Sequence, residues 1–350
     1  MKRVLVTGHR FGGLGPVEAT RTARDAWAQA APQVAVEALP ATDGGRGFAD
    51  VVRALRGGEQ VLADDGAPYL RDGDTAWVEA AEVLDAVPAP DTAPVGELIA
   101  ALARAGIRHI VLATGGVTTV DGGRGAVEAL GGPVAARERL AGTRLTAVVD
   151  DDRGLLGFQG AAAAAGERLR LDPADSQRLE TEMGEWVDEV RRAVPASRDL
   201  LSGKQIHLDR MPGSGAGGGL AYGLAALGAA LVPGPSYWAT LARLDQRVAV
   251  AGLVVIVETV FDWRLMEHSV LRTVADAAAA DATPGVVLAD EVHVGRREVM
   301  STGLSGAYSV AATGVIRRER PDAAAARAGL ERLAGRIAGT WTPGPRGDVP

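Results

Sequence analysis

Short apolar runs rich in β-branched residues recur along this chain between stretches of helical periodicity, and that alternation limits its fold more than any other feature. The runs are Val4-Leu-Val6, Val34-Ala-Val36, Ala76-Trp-Val78, His109-Ile-Val-Leu112, Leu145-Thr-Ala-Val-Val149, Leu253-Val-Val-Ile-Val257 and Val286-Val-Leu288. Apolar runs of this length, with no polar alternation, read as strands buried on both faces and therefore parallel. Between them, residues 16–31 open with proline, residues 92–105 stop at Gly106, and residues 173–194 follow Asp172 as an N-cap. Strand alternating with helix means α/β. Within 173–194, Leu179, Met183, Trp186, Val187 and Val190 share one helical face and are expected to be core. A further helix is expected over 263–280 with Asp262 as its N-cap, and helical spacing returns over 317–339. At 350 residues the chain exceeds the size at which one core stops growing, so two domains are expected.

Composition removes several classes of function. Lys and Arg total 37 against 44 acidic residues, for a net charge of −7, and no block of like charge forms a track for nucleic acid. The absence of cysteine excludes thiolate nucleophiles and thiolate metal sites. Five histidines without His-x-x-x-His spacing give no zinc signature. No apolar stretch is long enough to span a bilayer, and the start Met1-Lys-Arg-Val-Leu-Val-Thr7 lacks the pattern of a signal peptide, so a cytoplasmic protein is expected. Glycine is the outlier: 46 residues, nearly twice the average usage of about 7%. Many fall in clusters beside carboxylates, at Thr42-Asp-Gly-Gly45, Thr114-Gly-Gly116, Asp121-Gly-Gly123 and Gly213-Ser-Gly-Ala-Gly-Gly-Gly219. Glycine lets backbone N–H groups approach an anion closely, so such clusters point to phosphate and metal-ion handling; tight turns and close packing account for them equally simply. Neither a Walker loop nor a strand-following Gly-x-Gly-x-x-Gly with its acidic partner is present.

Five segments, in order and with their spacing, resemble the type I glycerate kinase family, whose members phosphorylate glycerate with ATP and magnesium. Asp43-Gly-Gly-Arg-Gly-Phe48 is similar to the family's Asp-Gly-Gly-Glu-Gly-Thr, and Gly115-Gly-Val-Thr-Thr-Val-Asp-Gly-Gly-Arg-Gly125 to its Gly-Gly-Ser-Ala-Thr-Asn-Asp-Gly-Gly-Ala-Gly. Asp150-Asp-Asp-Arg-Gly-Leu-Leu-Gly157, the glycine run at 213–219 and the segment from Ala251 to Asp262 complete the series. The departures fall on polar positions. In an ungapped register Phe11 takes the place of a lysine, Arg46 of a glutamate, Val117 and Val120 of serine and asparagine, and Arg153-Gly154 of Asn-Pro. A second lysine expected after Asp262 has no counterpart in Arg264-Leu-Met-Glu-His-Ser269.

The resemblance implies a flavodoxin-like or Rossmann-like domain over 1–62 and 240–345 and an inserted α/β domain over 63–239, while the Pro/Gly-rich composition of 340–350 gives the expectation of a flexible tail. It also implies ATP and Mg²⁺. Phosphoryl transfer needs carboxylates to hold the metal, a base for the hydroxyl and cations for the phosphate oxygens. Asp43, Asp121, Glu258 and Asp262 are the catalytic candidates, with Asp121, Asp150 and Asp262 as metal ligands. Arg10, Arg46 and Arg153 are candidate anion clamps in place of the lost lysines. Gly115, Gly116, Thr119, Gly213, Ser214, Gly215, Gly217 and Gly218 are candidate phosphate contacts, and His9 and His268 candidate bases in motif-adjacent loops. The expected reaction is ATP-dependent phosphorylation of a small hydroxy acid such as glycerate. The alternative is a repurposed enzyme or pseudokinase that takes another anionic small molecule. Expected partners are a small anionic substrate and neither nucleic acid nor membrane, with a homodimer left open.

Overall fold

The computed structural model describes residues 3–194, 203, 205–311 and 321–342. Its strands are β1 (Arg3–Gly8), β2 (Val36–Pro40), β3 (Glu59–Leu62), β4 (Pro68–Asp72), β5 (Thr75–Glu79), β6 (His109–Ala113), β7 (Arg144–Val149), β8 (Ala230–Pro233), β9 (Ala251–Phe261), β10 (Gly285–Val292) and β11 (Gly306–Ser309). Two units form, Met1–Asp43 with Pro235–Pro350, and Gly44–Gly234. Among the described residues no helix is long and apolar enough to cross a membrane.

The first unit holds a five-stranded sheet in the order β11-β10-β9-β1-β2, with every pair parallel. Counted within the unit this is the 2-1-3-4-5 arrangement of flavodoxin-like folds, and the strand order reverses between β1 and β9. Val4, Leu5 and Val6 of β1 and residues 253–257 of β9 are wholly buried, because helices cover the sheet. The helix Pro16–Ala30 sets Ala19, Ala23 and Trp27 against it, and the helix Ala323–Trp341 sets Ala326, Leu330, Leu333 and Ile337 in the same core. Each such buried Val, Leu or Ile stabilises by about 1.5–3 kcal/mol relative to an exposed one. Helix Ala323–Trp341 and its C-cap Thr342 take in the first residues of the expected tail; 343–350 lie outside the described residues, as do 317–320 of the expected last helix.

The second unit's sheet runs β3-β4-β5-β6-β7-β8, antiparallel as far as β5 and parallel from β5 to β8. Its long helix Pro173–Ala193 begins as expected, with the Asp172 carboxylate accepting from the Asp175 N–H at 2.7 Å, and buries Met183, Trp186, Val187 and Val190. The division at Asp43/Gly44 lies ahead of the expected 62/63 boundary. The helix Phe48–Arg56 packs on β4 and β5, and β3 pairs with β4, so this stretch of chain belongs to the second sheet. The expected helix over 263–280 is broken in two: a 3₁₀ turn, Trp263–Met266, capped by Asp262, and the helix Val270–Ala280, capped by Ser269. His268 between them adopts φ +49°, which interrupts helical continuation.

Candidate active site

In the first unit the ends of β1, β2 and β9 bring three titratable side chains together. Gly8 closes β1 where a Cβ would lie 2.2 Å from the Val257 carbonyl, so glycine alone permits this approach of the two strands. The next residue, His9, donates its N–H to that carbonyl and turns its ring toward Asp43, with Nε2 3.3 Å from Oδ1. Nε2 is sealed from solvent, whereas the Asp43 side chain remains 33% exposed. Burial alone would lower the histidine's pKa, but Asp43 and Glu258 outweigh it, Arg10 opposes them only weakly, and the net shift is upward. Glu258, buried on β9, is pushed up to about 8, by burial first, with His9 opposing and Asp43 adding. Near neutral pH Glu258 is therefore mostly protonated, and the contact with Asp43 favours the imidazolium form of His9. The cluster sits at the carboxyl ends of the strands where their order reverses, the usual ligand position in open parallel sheets.

In the second unit, three of the glycine-bearing motifs meet outside the carboxyl ends of β6 and β7. There they line a cavity of about 560 Å³. Gly116, Val117, Thr118 and Val120 come from the loop after β6, Asp150, Asp151 and Arg153 from the loop after β7, and Gly215, Gly217 and Gly218 from the glycine run. The remaining wall is the helix Ala161–Leu169, through Ala161, Ala164, Ala165, Glu167 and Arg168. Gly217 and Gly218 have φ of +60° and +65°, and a Cβ on Gly218 would lie 2.0 Å from the Thr119 carbonyl. At Gly215 it would lie 2.3 Å from the Gly154 carbonyl. Glycine is thus required for close packing here, and the same packing exposes bare backbone to the cavity. Asp150 is held against Gly115, where a Cβ would come within 2.7 Å of the carboxylate. Asp151 accepts from Arg153 Nε at 2.6 Å; burial raises its pKa and Arg153 counteracts that. Arg168 Nη2 donates to the Thr118 carbonyl at 2.7 Å and fastens the loop.

Several expected site residues make structural contacts. The Asp121 carboxylate accepts from Thr92 N and Oγ1, Gly123 N and Gly125 N, all at 2.7–3.1 Å, which ties two helix starts together. Asp262 accepts from the Arg264 N–H at 2.9 Å as a turn cap. Ser214 Oγ donates to the Asp209 carbonyl and accepts from Leu155 N, so it braces the glycine run from behind. Gly213 packs on Val149, and Thr119 meets Gly218 through its carbonyl while its neighbours line the cavity. Arg46 pairs with Asp85 at 2.5 Å. Within either unit, among the described residues, no three His, Asp or Glu side chains form a metal-binding group. Sequence reasoning passed over Asp151, Arg168 and Glu79. Glu79, buried at the end of β5, accepts from Gly47 N at 3.0 Å and Ala49 N at 3.4 Å, and burial pushes it up to about 7, helped by Glu82. Asp151 was legible inside the Asp150-Asp-Asp152 run, whereas nothing local marks Arg168 or Glu79.

Comparison with known proteins gives the family. The model of the Glycerate kinase family matches residues 4–138 and 133–342. The chain belongs to the glycerate kinase family. It is 32% identical to an uncharacterized protein of Mycobacterium bovis, over 98% of this chain and 94% of that one. It is 24% identical to the glycerate 2-kinase of Escherichia coli, over 89% and 90%. The crystal structure of a protein assigned as glycerate kinase 2 from Salmonella typhimurium LT2 superposes with a TM-score of 0.70 at 24% identity, covering 97% of this chain and 98% of that one, which shows the shared two-domain α/β fold. Family membership implies a small substrate. Against the family pattern, Phe11 is fully buried in the first unit's core, so the position where lysine is expected presents no cation. Val117 and Val120 make part of the cavity wall apolar.

Proposed function

We propose that the protein is an ATP-dependent kinase of glycerate or a closely similar small hydroxy acid. The observation that carries this reading is the cavity at the carboxyl ends of β6 and β7, where three family motifs converge. Its donor set suits a magnesium nucleotide. Asp150 and Asp151 are the oxygen ligands Mg²⁺ takes, Arg153 is a cation for phosphate, and residues 215–218 offer backbone without Cβ atoms. Ala161, Ala164, Ala165 and Val117 form the apolar wall. When bound, MgATP supplies the phosphoryl group. Asp121 and Asp262 are caps in this reading, not ligands.

The first unit handles the proton. Asp43, the exposed member of its cluster, orients the substrate hydroxyl and accepts its proton. His9 aims Asp43 through their 3.3 Å contact, and Asp43 in turn favours the protonated imidazole. Arg10, in the same loop, is the cation for the substrate carboxylate.

Isothermal titration with ATP and Mg²⁺, with and without D-glycerate, followed by assay for ADP, tests the reading. Binding with glycerate-dependent ADP is expected. Arg153→Ala should weaken ATP binding about tenfold, the loss of roughly one charge-assisted hydrogen bond, while Arg46→Ala leaves it unchanged. No ATP binding by the wild-type protein rejects the kinase. The burial of Phe11 then favours the second reading, in which the scaffold takes a different anion.

A further inference from the structure

A second cavity, of about 260 Å³, lies in the second unit on the flank of the helix Pro173–Ala193. Its walls are mostly apolar, from Val190, Val194, Ile206, Leu208, Met211 and Ala225. None of these belongs to a family motif or to the cavity described above.

The polar end is unusual. Arg191 Nη2 is 2.9 Å from Asp209, which is buried and also lies 3.8 Å from Arg210, so that carboxylate is neutralised by its neighbours. Arg137, from the helix Gly132–Arg139, has no ion-pair or hydrogen-bond partner among the described residues. Its guanidinium lies against Gly228, where a Cβ would sit 3.7 Å from Nη2. Tyr222 is 1% exposed and lines the same space, yet its hydroxyl has no hydrogen-bond partner among the described residues. Burial first, and then Asp209, hold that phenol protonated, so it remains a donor. With the Arg137 guanidinium it amounts to two donors without a protein acceptor among the described residues. Counting Arg137, Arg191 and Asp209, the lining carries an excess of one positive charge. The volume falls just under the lower end of drug-sized pockets, about 300 Å³, so an occupant is small.

We propose that this cavity is a second binding site, for a small monocarboxylate with an apolar body, whose carboxylate meets Arg137 and the Tyr222 hydroxyl while the body packs on the apolar wall. The site does not depend on the kinase reading. Its wall nevertheless continues into the braces of the glycine run, because the Asp209 main-chain carbonyl accepts from both Ser214 Oγ and Leu155 N.

Titration of the full chain with benzoate, and with benzamide as its neutral isostere, tests the proposal. Saturable benzoate binding is expected below ~10 mM, at least tenfold tighter than benzamide. Arg137→Ala, a change at a partly exposed surface position, should weaken benzoate at least tenfold, and Tyr222→Phe should weaken it by a smaller factor with the fold kept. Arg153→Ala, in the other cavity, should leave it unchanged. Absence of saturable benzoate binding, equal binding of benzamide, or full binding by Arg137→Ala would each overturn the assignment, as would loss of binding in Arg153→Ala.

Discussion

The two units solve one problem, presenting chemistry at the carboxyl ends of parallel strands, by opposite means. The first uses side chains: His9, Asp43 and Glu258 come from the ends of three strands, and the titration of His9 and Glu258 depends on all three. The second uses the absence of side chains: Gly215, Gly217 and Gly218 pack where any Cβ would collide, and leave backbone facing the cavity. A site built from mutual electrostatics is fragile to charge and pH. One built from close backbone packing is fragile to volume.

The largest effect that separates them is on turnover. Asp43→Asn should lower kcat about 10²–10⁴-fold, the usual worth of a positioned acid–base group, with little change in Tm. His9→Gln should cost less and remove the alkaline limb of the pH profile, since His9 acts by holding Asp43. Full turnover in Asp43→Asn would leave the first unit without a chemical part.

Volume is the next lever. Gly218→Ala should destabilise by about 2–4 kcal/mol, through overpacking against Thr119 and a left-handed backbone, visible as a lower urea midpoint. Asp121→Ala should cost about 3 kcal/mol, because it strips four donors of their acceptor, against about 1 kcal/mol for the cap Asp262→Ala. Equal costs for the two aspartates would remove the structural role given to Asp121.

The smallest effect is on stability against pH. Glu258 and Glu79 both have raised folded-state values, so the folded protein binds more protons than the unfolded chain above about 4.5. Their stabilisation is complete below that pH and is lost as pH rises, through about 7 for Glu79 and about 8 for Glu258. His9 acts in the same sense, its share present below 6.5 and lost as pH passes its raised value. Between pH 7 and 8 the decline therefore belongs mainly to the first unit. Glu258→Gln should flatten it there, and Glu79→Gln should not; urea midpoints at the two pH values decide.

Much of the fold was legible. All seven apolar runs fall on or overlap strands, and the helices starting near Pro16, Thr92 and Pro173 form with the expected termini. The strands that escaped notice are short and partly exposed, such as β3 with Glu59 and Gln60 exposed, or β11, so no continuous apolar run marks them. Within the candidate site the glycine motifs were legible as segments, but the division of labour among their acids was not. Asp43 and Asp121 both precede Gly-Gly, yet one faces His9 and the other binds four backbone and side-chain donors.

The sequence by itself determined the α/β class, the buried parallel strands and the family, because hydrophobic periodicity and glycine spacing are local properties written residue by residue. Tertiary structure alone decided which donors and charges each carboxylate meets. Whether an acid is a cap, a brace or a proton acceptor depends on the donors and charges that distant segments bring to it, and that competition exists only once the strands have paired.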